Sequence, residues 1–226
     1  MANQKVMKLG RSLSPDARDQ NYLIKNNFTF VNRLGIKKKF WDPNGWWGNQ
    51  GDLPYCVGYA WAHWIEDGPI THPGKKPNLS PITIYENAQK LDEWPGEGYP
   101  GTSVRGGLKY LKQIGVATSY YWAFDVDTII NYVLQYGPVV VGTDWYTGMF
   151  YPDRRGVIKI GGNIEGGHAY LINGVDTTTQ QFRIKNSWGW SWGKGGMASI
   201  SFSDMSQLIL QEGEAAIAIE KRGKLF

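Results

Sequence analysis

The spacing of apolar positions changes near residue 137. Before it, apolar and small residues recur at helical intervals; after it, they alternate or run together. CVGYAWAHWIE, from Cys56 to Glu66, predicts a helix whose small residues allow close packing. LSPITIYENAQKL predicts a second helix that starts around Pro81 and runs to Leu91. DEWPGEGYPG reads as a loop. TSVRGGLKYLKQI predicts a third helix capped by Thr102 or Ser103, and Asp127 is expected to cap a fourth that runs to about Tyr136. Beyond that point PVVVGTDW predicts a buried strand. HAYLINGVD and QFRIKNSW alternate around a Thr-rich turn and predict a hairpin, and MASISF and AAIAIE predict two more strands. Residues 1–35 are polar and irregular, with a turn at Pro15-Asp16, and residues 36–55 are rich in Gly, Pro and Trp.

Helices first and strands second predict an α+β protein. The expected layout is an N-terminal extension over 1–35 packed on a single domain over 36–226. That domain divides into a helical lobe at about 50–136 and an antiparallel β lobe at about 137–220, with a cleft between them.

Composition narrows the function. The 226 residues are 42% hydrophobic and 19% charged, a globular balance with length enough for a real core. The net charge of +4 is mild, and the run Lys37, Lys38, Lys39 is too short to argue for nucleic acid; it reads as a solvated turn. The N-terminal residues lack the apolar core of a secretory signal, and runs such as Val139 to Val141 are too short to span a bilayer. One cysteine excludes an intrachain disulfide and fits a reducing compartment. The expectation is a soluble, cytoplasmic protein, virion-associated if the chain is viral. Neither metal nor organic cofactor is expected, because no cluster has ligand spacing. Trp46, Trp47, Trp61, Trp64, Trp188, Trp190 and Trp192 gather around the chemically interesting segments and read as core and cleft wall.

The single cysteine, Cys56, heads the first predicted helix. A helix N-terminus favours a thiolate, and an imidazolium beside it would lower the thiol pKa from about 8.5 into the range of roughly 3.5–7.5. Taken alone, a lone cysteine is as readily a small buried hydrophobe. Of the three histidines, His63 lies seven residues along the same helix and reads as a packing or surface residue. His72 sits in a polar loop. His168 opens an apolar strand after Gly166 and Gly167, so by elimination it is the candidate base. Asn186 starts NSWG on the second hairpin arm. An amide accepting from the imidazole would fix its tautomer, and Trp188 would shield that pair from water. Gln50, six residues before the cysteine, can donate to an oxyanion together with the Cys56 backbone N–H.

The order Gln50, Cys56, then GGHA and NSWG resembles the papain-like cysteine peptidases, over most of the chain. DARDQNY, LSPITIYENAQKL, GTSVRGGLKYLKQIGV and GPVVVG look like the prokaryotic and viral branch of that family, which lacks a long propeptide. The resemblance implies a two-lobed papain-like fold and hydrolysis of peptide bonds in a protein or peptide substrate through a covalent acyl-enzyme. It implies Cys56 and His168 as catalytic pair, Asn186 as orienting group and Gln50 in the oxyanion hole. It implies Gly101, Thr102, Ala169 and Trp188 as substrate-binding residues along the groove, with Ala169 and Val139 to Val141 near the main specificity pocket.

Three departures stand out. The family signature around the nucleophile, C-G-[SA]-C-[WY], is here Leu53-Pro54-Tyr55-Cys56-Val57, so the usual structural cysteine is absent and Tyr55 stands where a small residue is usual. The Cys–His separation, 168 − 56 = 112, is shorter than the usual ~130–150 and implies trimmed loops. Since DARDQNY resembles the start of a mature domain, control by zymogen cleavage is not expected unless residues 1–15 cover the cleft. Two alternatives accompany the endopeptidase: a papain-fold binding or structural protein with an occluded site, such as a component of a larger particle, and transfer of an acyl group to an amine at the same thiol.

Overall fold

The structure, a computed structural model, describes residues 7–31, 35–41, 46–69, 79–94, 96 and 98–220. A 3-10 helix over Ala17–Tyr22 and a short helix α1 (Ile24–Asn27) lead into strand β1 (Lys38–Phe40). Helices α2 (Cys56–Asp67), α3 (Pro81–Leu91) and α4 (Val104–Gln113) follow, then β2 (Ala117–Ala123), α5 (Val126–Gln135) and β3 (Val139–Tyr146). The rest is β4 (Ile164–Asp176), β5 (Gln181–Lys185), β6 (Met197–Ser201), α6 (Phe202–Leu210) and β7 (Glu214–Glu220). The architecture is α+β. All pairings between these strands are antiparallel, in the order β2-β7-β3-β4-β5-β6, with β1 on β4. Among the described residues no helix is long and apolar enough to cross a membrane.

Period-two alternation splits the sheet between two cores. Val139 and Val141 of β3, Tyr170 and Ile172 of β4, and Ala215 and Ile217 of β7 face a cluster with α5 and α6. Val140, Ala169, Leu171, Ala216 and Ala218 face the other way, onto Trp61, Trp64 and Ile65 of α2 and Leu108 and Leu111 of α4. Helix α2 is buried along nearly its whole length, which its alanines and Gly58 permit. At its C-terminal end the fully buried carboxylate of Asp67 meets the fully buried ammonium of Lys185 on β5 at 2.7 Å.

Several expectations shift. Asp125, not Asp127, caps α5: its Oδ1 accepts from Thr128 N at 2.7 Å, two residues earlier than the pattern suggested. Lys38 and Lys39 are exposed, as expected, but lie in β1 rather than in a turn. β4 starts at Ile164, so His168 sits inside the strand opposite Thr143 rather than at its opening. β5 ends at Lys185, which puts Asn186 just past the strand. Phe202 begins α6 and does not extend β6. β2 and α6 had no counterpart in the sequence reading. His72 lies outside the described residues.

Candidate active site

Cys56 is the first residue of α2 and is completely buried. Tyr55 before it makes no side-chain cap; its ring packs on Tyr85 with centroids 4.3 Å apart, and the Tyr85 hydroxyl accepts from Gly101 N at 2.9 Å. Tyr55 therefore belongs to the cleft wall. The Cys56 thiol faces backbone amides of Ala169, Val57 and Gly10.

One residue before Ala169, His168 is held between two indoles. Trp188 stacks on its ring at 4.7 Å, and Trp145 meets it edge-on at 4.8 Å. His168 Nε2 lies 2.8 Å from Asn186 Oδ1, which also accepts from Ser187 N at 2.7 Å. A carbonyl oxygen only accepts, so the neutral ring carries its proton on Nε2 and keeps its lone pair on Nδ1. Nδ1 is buried without a hydrogen-bond partner. Gln50 is fixed on the same loop: its backbone N donates to Ser187 O at 2.8 Å, and its Oε1 accepts from the Ser187 hydroxyl. Its Nε2 donates to Leu53 O at 2.7 Å and to Lys8 O at 3.1 Å.

That contact with Lys8 exposes what the sequence reading left open: residues 8–12 form a strap over the cleft. Gly10 N and Arg11 N both donate to Gly167 O, at 3.1 and 3.0 Å. Thr102 N donates to Gly10 O at 3.0 Å and Ser12 N to Thr102 O at 2.9 Å, a parallel bridge between Arg11 and Thr102. Trp188 Nε1 reaches Lys8 O at 3.4 Å. Gly10 is needed for this fit, because a Cβ there would fall 2.2 Å from the Pro54 carbonyl oxygen. Of the residues expected in the substrate groove, Thr102 and Trp188 bond the strap directly, Gly101 is tied to Tyr85, and Ala169 presents its backbone to the thiol. Val139 to Val141 are buried inside the sheet; the cleft-facing residue is the next one, Gly142, beside Arg11. Beyond Trp188 the cleft opens into a cavity of about 460 Å³ lined by Met7, Asn49, Phe150, Tyr151 and Trp192.

The covering reverses the expected electrostatics. Burial pushes the Cys56 thiol up to about 11, against the backbone amides and the Arg11 charge that favour the thiolate. Burial lowers His168 to about 4, with the Asn186 hydrogen bond opposing. At neutral pH the covered pair is a thiol and a neutral imidazole, not the ion pair the helix N-terminus suggested. The helix end remains, but without water it does not outweigh desolvation.

His63 is a packing residue, as expected. It is buried, its ring lies 5.0 Å from that of Trp46, and its Nε2 accepts from Gly48 N at 3.4 Å. Of the clustered tryptophans, Trp61, Trp64, Trp188 and Trp192 are buried while Trp190 is 65% exposed. Sequence reasoning missed Lys8, Gly10, Arg11, Trp145, Ser187 and Glu214. Only Glu214, an acid at the head of an apolar strand, carried a signal that could have been noticed.

Comparison with known proteins places the chain in a family. The family described as papain family cysteine protease matches residues 59–217. The chain belongs to the papain family of cysteine proteases. It is 30% identical over 168 residues to a cathepsin B-like cysteine proteinase of Schistosoma japonicum, covering 66% of this chain and 47% of that protein. It is 25% identical over 158 residues to cathepsin B-like cysteine proteinase 6 of Caenorhabditis elegans, covering 62% of this chain and 42% of that one. The chain thus spans less than half the length of these two relatives. Its fold is similar to that of xylellain, a cysteine protease from Xylella fastidiosa, with a TM-score of 0.75 and 20% identity over 98% of this chain and 100% of the other.

Proposed function

We propose that the chain is a cysteine endopeptidase whose site is closed by its own residues 8–12. The observation that carries the reading is the buried contact of His168 Nε2 with Asn186 Oδ1, on the strand whose backbone faces the Cys56 thiol. In the open enzyme His168 Nδ1 takes the thiol proton while Sγ attacks the substrate carbonyl carbon. The resulting oxyanion accepts from Gln50 Nε2 and the Cys56 backbone N–H. The C–N bond then breaks, the imidazolium gives its proton to the leaving amine, and a thioester remains. Water, deprotonated by the same imidazole, attacks the thioester; the acid product leaves and the thiol is restored. Asn186 keeps the ring in the required tautomer throughout.

The complete burial of Cys56 and His168 also favours a second reading, a papain-fold binding protein whose site stays shut. Intact-mass spectrometry with an epoxide inhibitor of thiol peptidases separates the two. Gly10→Val, which cannot seat the strap against Pro54, should gain one adduct rapidly and the native chain slowly. Cys56→Ala in the same background should gain none, and His168→Ala should react ~10² to 10⁴-fold more slowly. A folded Gly10→Val protein that takes no adduct would leave the binding reading standing.

A further inference from the structure

Three neighbours surround the His168 ring, and they restrain it in different ways. The hydrogen bond between Nε2 and Asn186 Oδ1, at 2.8 Å, pins one atom. Trp188, stacked at 4.7 Å with the planes 22° apart, fixes the plane. Neither stops the ring from sliding or turning within that plane. Trp145 is the third neighbour, 4.8 Å from His168 and 5.2 Å from Trp188, with interplanar angles of 74° and 86°. The three ring centres therefore form a nearly equilateral triangle. An indole on the far face of His168 would lie almost twice as far from Trp188, so Trp145 stands beside the stacked pair, across it.

The sheet puts the indole there. His168 pairs with Thr143, and Trp145 lies two residues further along β3, on the same face. The residue opposite Trp145 is Gly166, which has no side chain to compete for the space. Trp145 is completely buried, and its Nε1 has no hydrogen-bond partner, so the residue acts through its ring alone. The strap is tied elsewhere: Lys8 O meets Gln50 and Trp188, and the Arg11 guanidinium is paired with Glu214 Oε1 at 3.1 Å. Trp145 therefore stays in place when the strap leaves. We infer that Trp145 is a positioning residue for the reaction: it keeps the imidazole from slipping across Trp188 and so holds Nδ1 where it takes the thiol proton. The inference rests on the peptidase reading.

The test uses the full chain opened by Gly10→Val, with Trp145→Phe or Trp145→Leu added. Phenylalanine keeps a flat ring; leucine keeps an apolar core residue without one. On a fluorogenic peptide, Trp145→Leu should lower kcat about 10- to 100-fold with KM within about twofold, and Trp145→Phe should recover most of kcat. NMR of the histidine ring nitrogens in the closed chain gives a readout that lost stability alone does not move. His168 should be a single Nε2–H tautomer in the native protein and in Trp145→Phe, and a mixture in Trp145→Leu. Should Trp145→Leu not fold, Trp145→Met fills more of the space and takes its place. Full kcat without the ring, or a loss of kcat with the tautomer unchanged, overturns the inference while the peptidase reading survives. If Gly10→Val is neither labelled by the epoxide nor cleaves any peptide, the peptidase reading fails and the inference with it.

Discussion

At the scale of single residues, Cys56 and His168 show how one environment sets two charges. With the thiol near 11, the thiolate fraction at pH 7 is about 1 in 10⁴, since 11 − 7 = 4. The thiolate is the reactive form, so a raised pKa means lower reactivity at every pH below it. Alkylation of the native chain by iodoacetamide should rise about tenfold per pH unit between pH 7 and 10 without levelling. In Gly10→Val the midpoint should fall, because water and an imidazole able to accept a proton then share the site. A native profile already flat below pH 8 would show that the ion pair exists under the strap. Gln50, Cys56, His168 and Asn186 could be picked out as candidates because each stands in a distinctive short context. Their charge states could not be read, because those depend on what covers them, and the cover is a polar segment more than forty residues before the cysteine.

At the scale of elements, α2 is fixed at both ends by different means. Its N-terminus carries the thiol, and its C-terminal end carries Asp67, paired with Lys185, whose ammonium also lies 4.6 Å from the Trp47 ring centre. Breaking such a buried pair takes the Asp67 carboxylate away from a fully buried ammonium. Asp67→Ala should lower stability by about 3–5 kcal/mol in denaturant unfolding, and a loss under 1 kcal/mol would mean that the site hydrates or rearranges. The helices α2, α3 and α4 and the strands β3 to β5 were legible because their apolar residues recur at helical intervals or run together as in buried strands. β2 was not: ATSYYWA does not alternate cleanly, and its side chains are buried at the two ends and only partly in the middle. α6 was hidden because its apolar Phe202 follows MASIS directly and reads as more strand. The helix signal was present in Ser201, whose Oγ accepts from Asp204 N at 3.0 Å, but it was outweighed by the strand's own alternation. Asp125 and Asp127 are both plausible caps, and only the turn geometry chooses between them.

At the scale of the whole molecule, the strap binds both sides of the cleft at once: Thr102 at the head of α4 on one side, and Gly167 and Glu214 of the sheet on the other. Nothing in MKLGRSLS announces this. Its partners lie between about 40 and 200 residues away, and its polarity reads as solvent exposure until the matching acid on β7 is known. The α+β order and the cleft were readable from the change of period; the plug was not.

The covering also shelters sulfur chemistry unrelated to catalysis. A thiolate exposed to peroxide advances through sulfenic to sulfinic acid, and the second step is not reversed by ordinary thiols. With Cys56 buried, neutral and roofed by Gly10 and Arg11, the closed chain is expected to resist that oxidation. Under equal hydrogen peroxide, the native protein should remain unmodified at Cys56 by mass while Gly10→Val gains two oxygens there, so that unroofing would start the chemical ageing of the thiol.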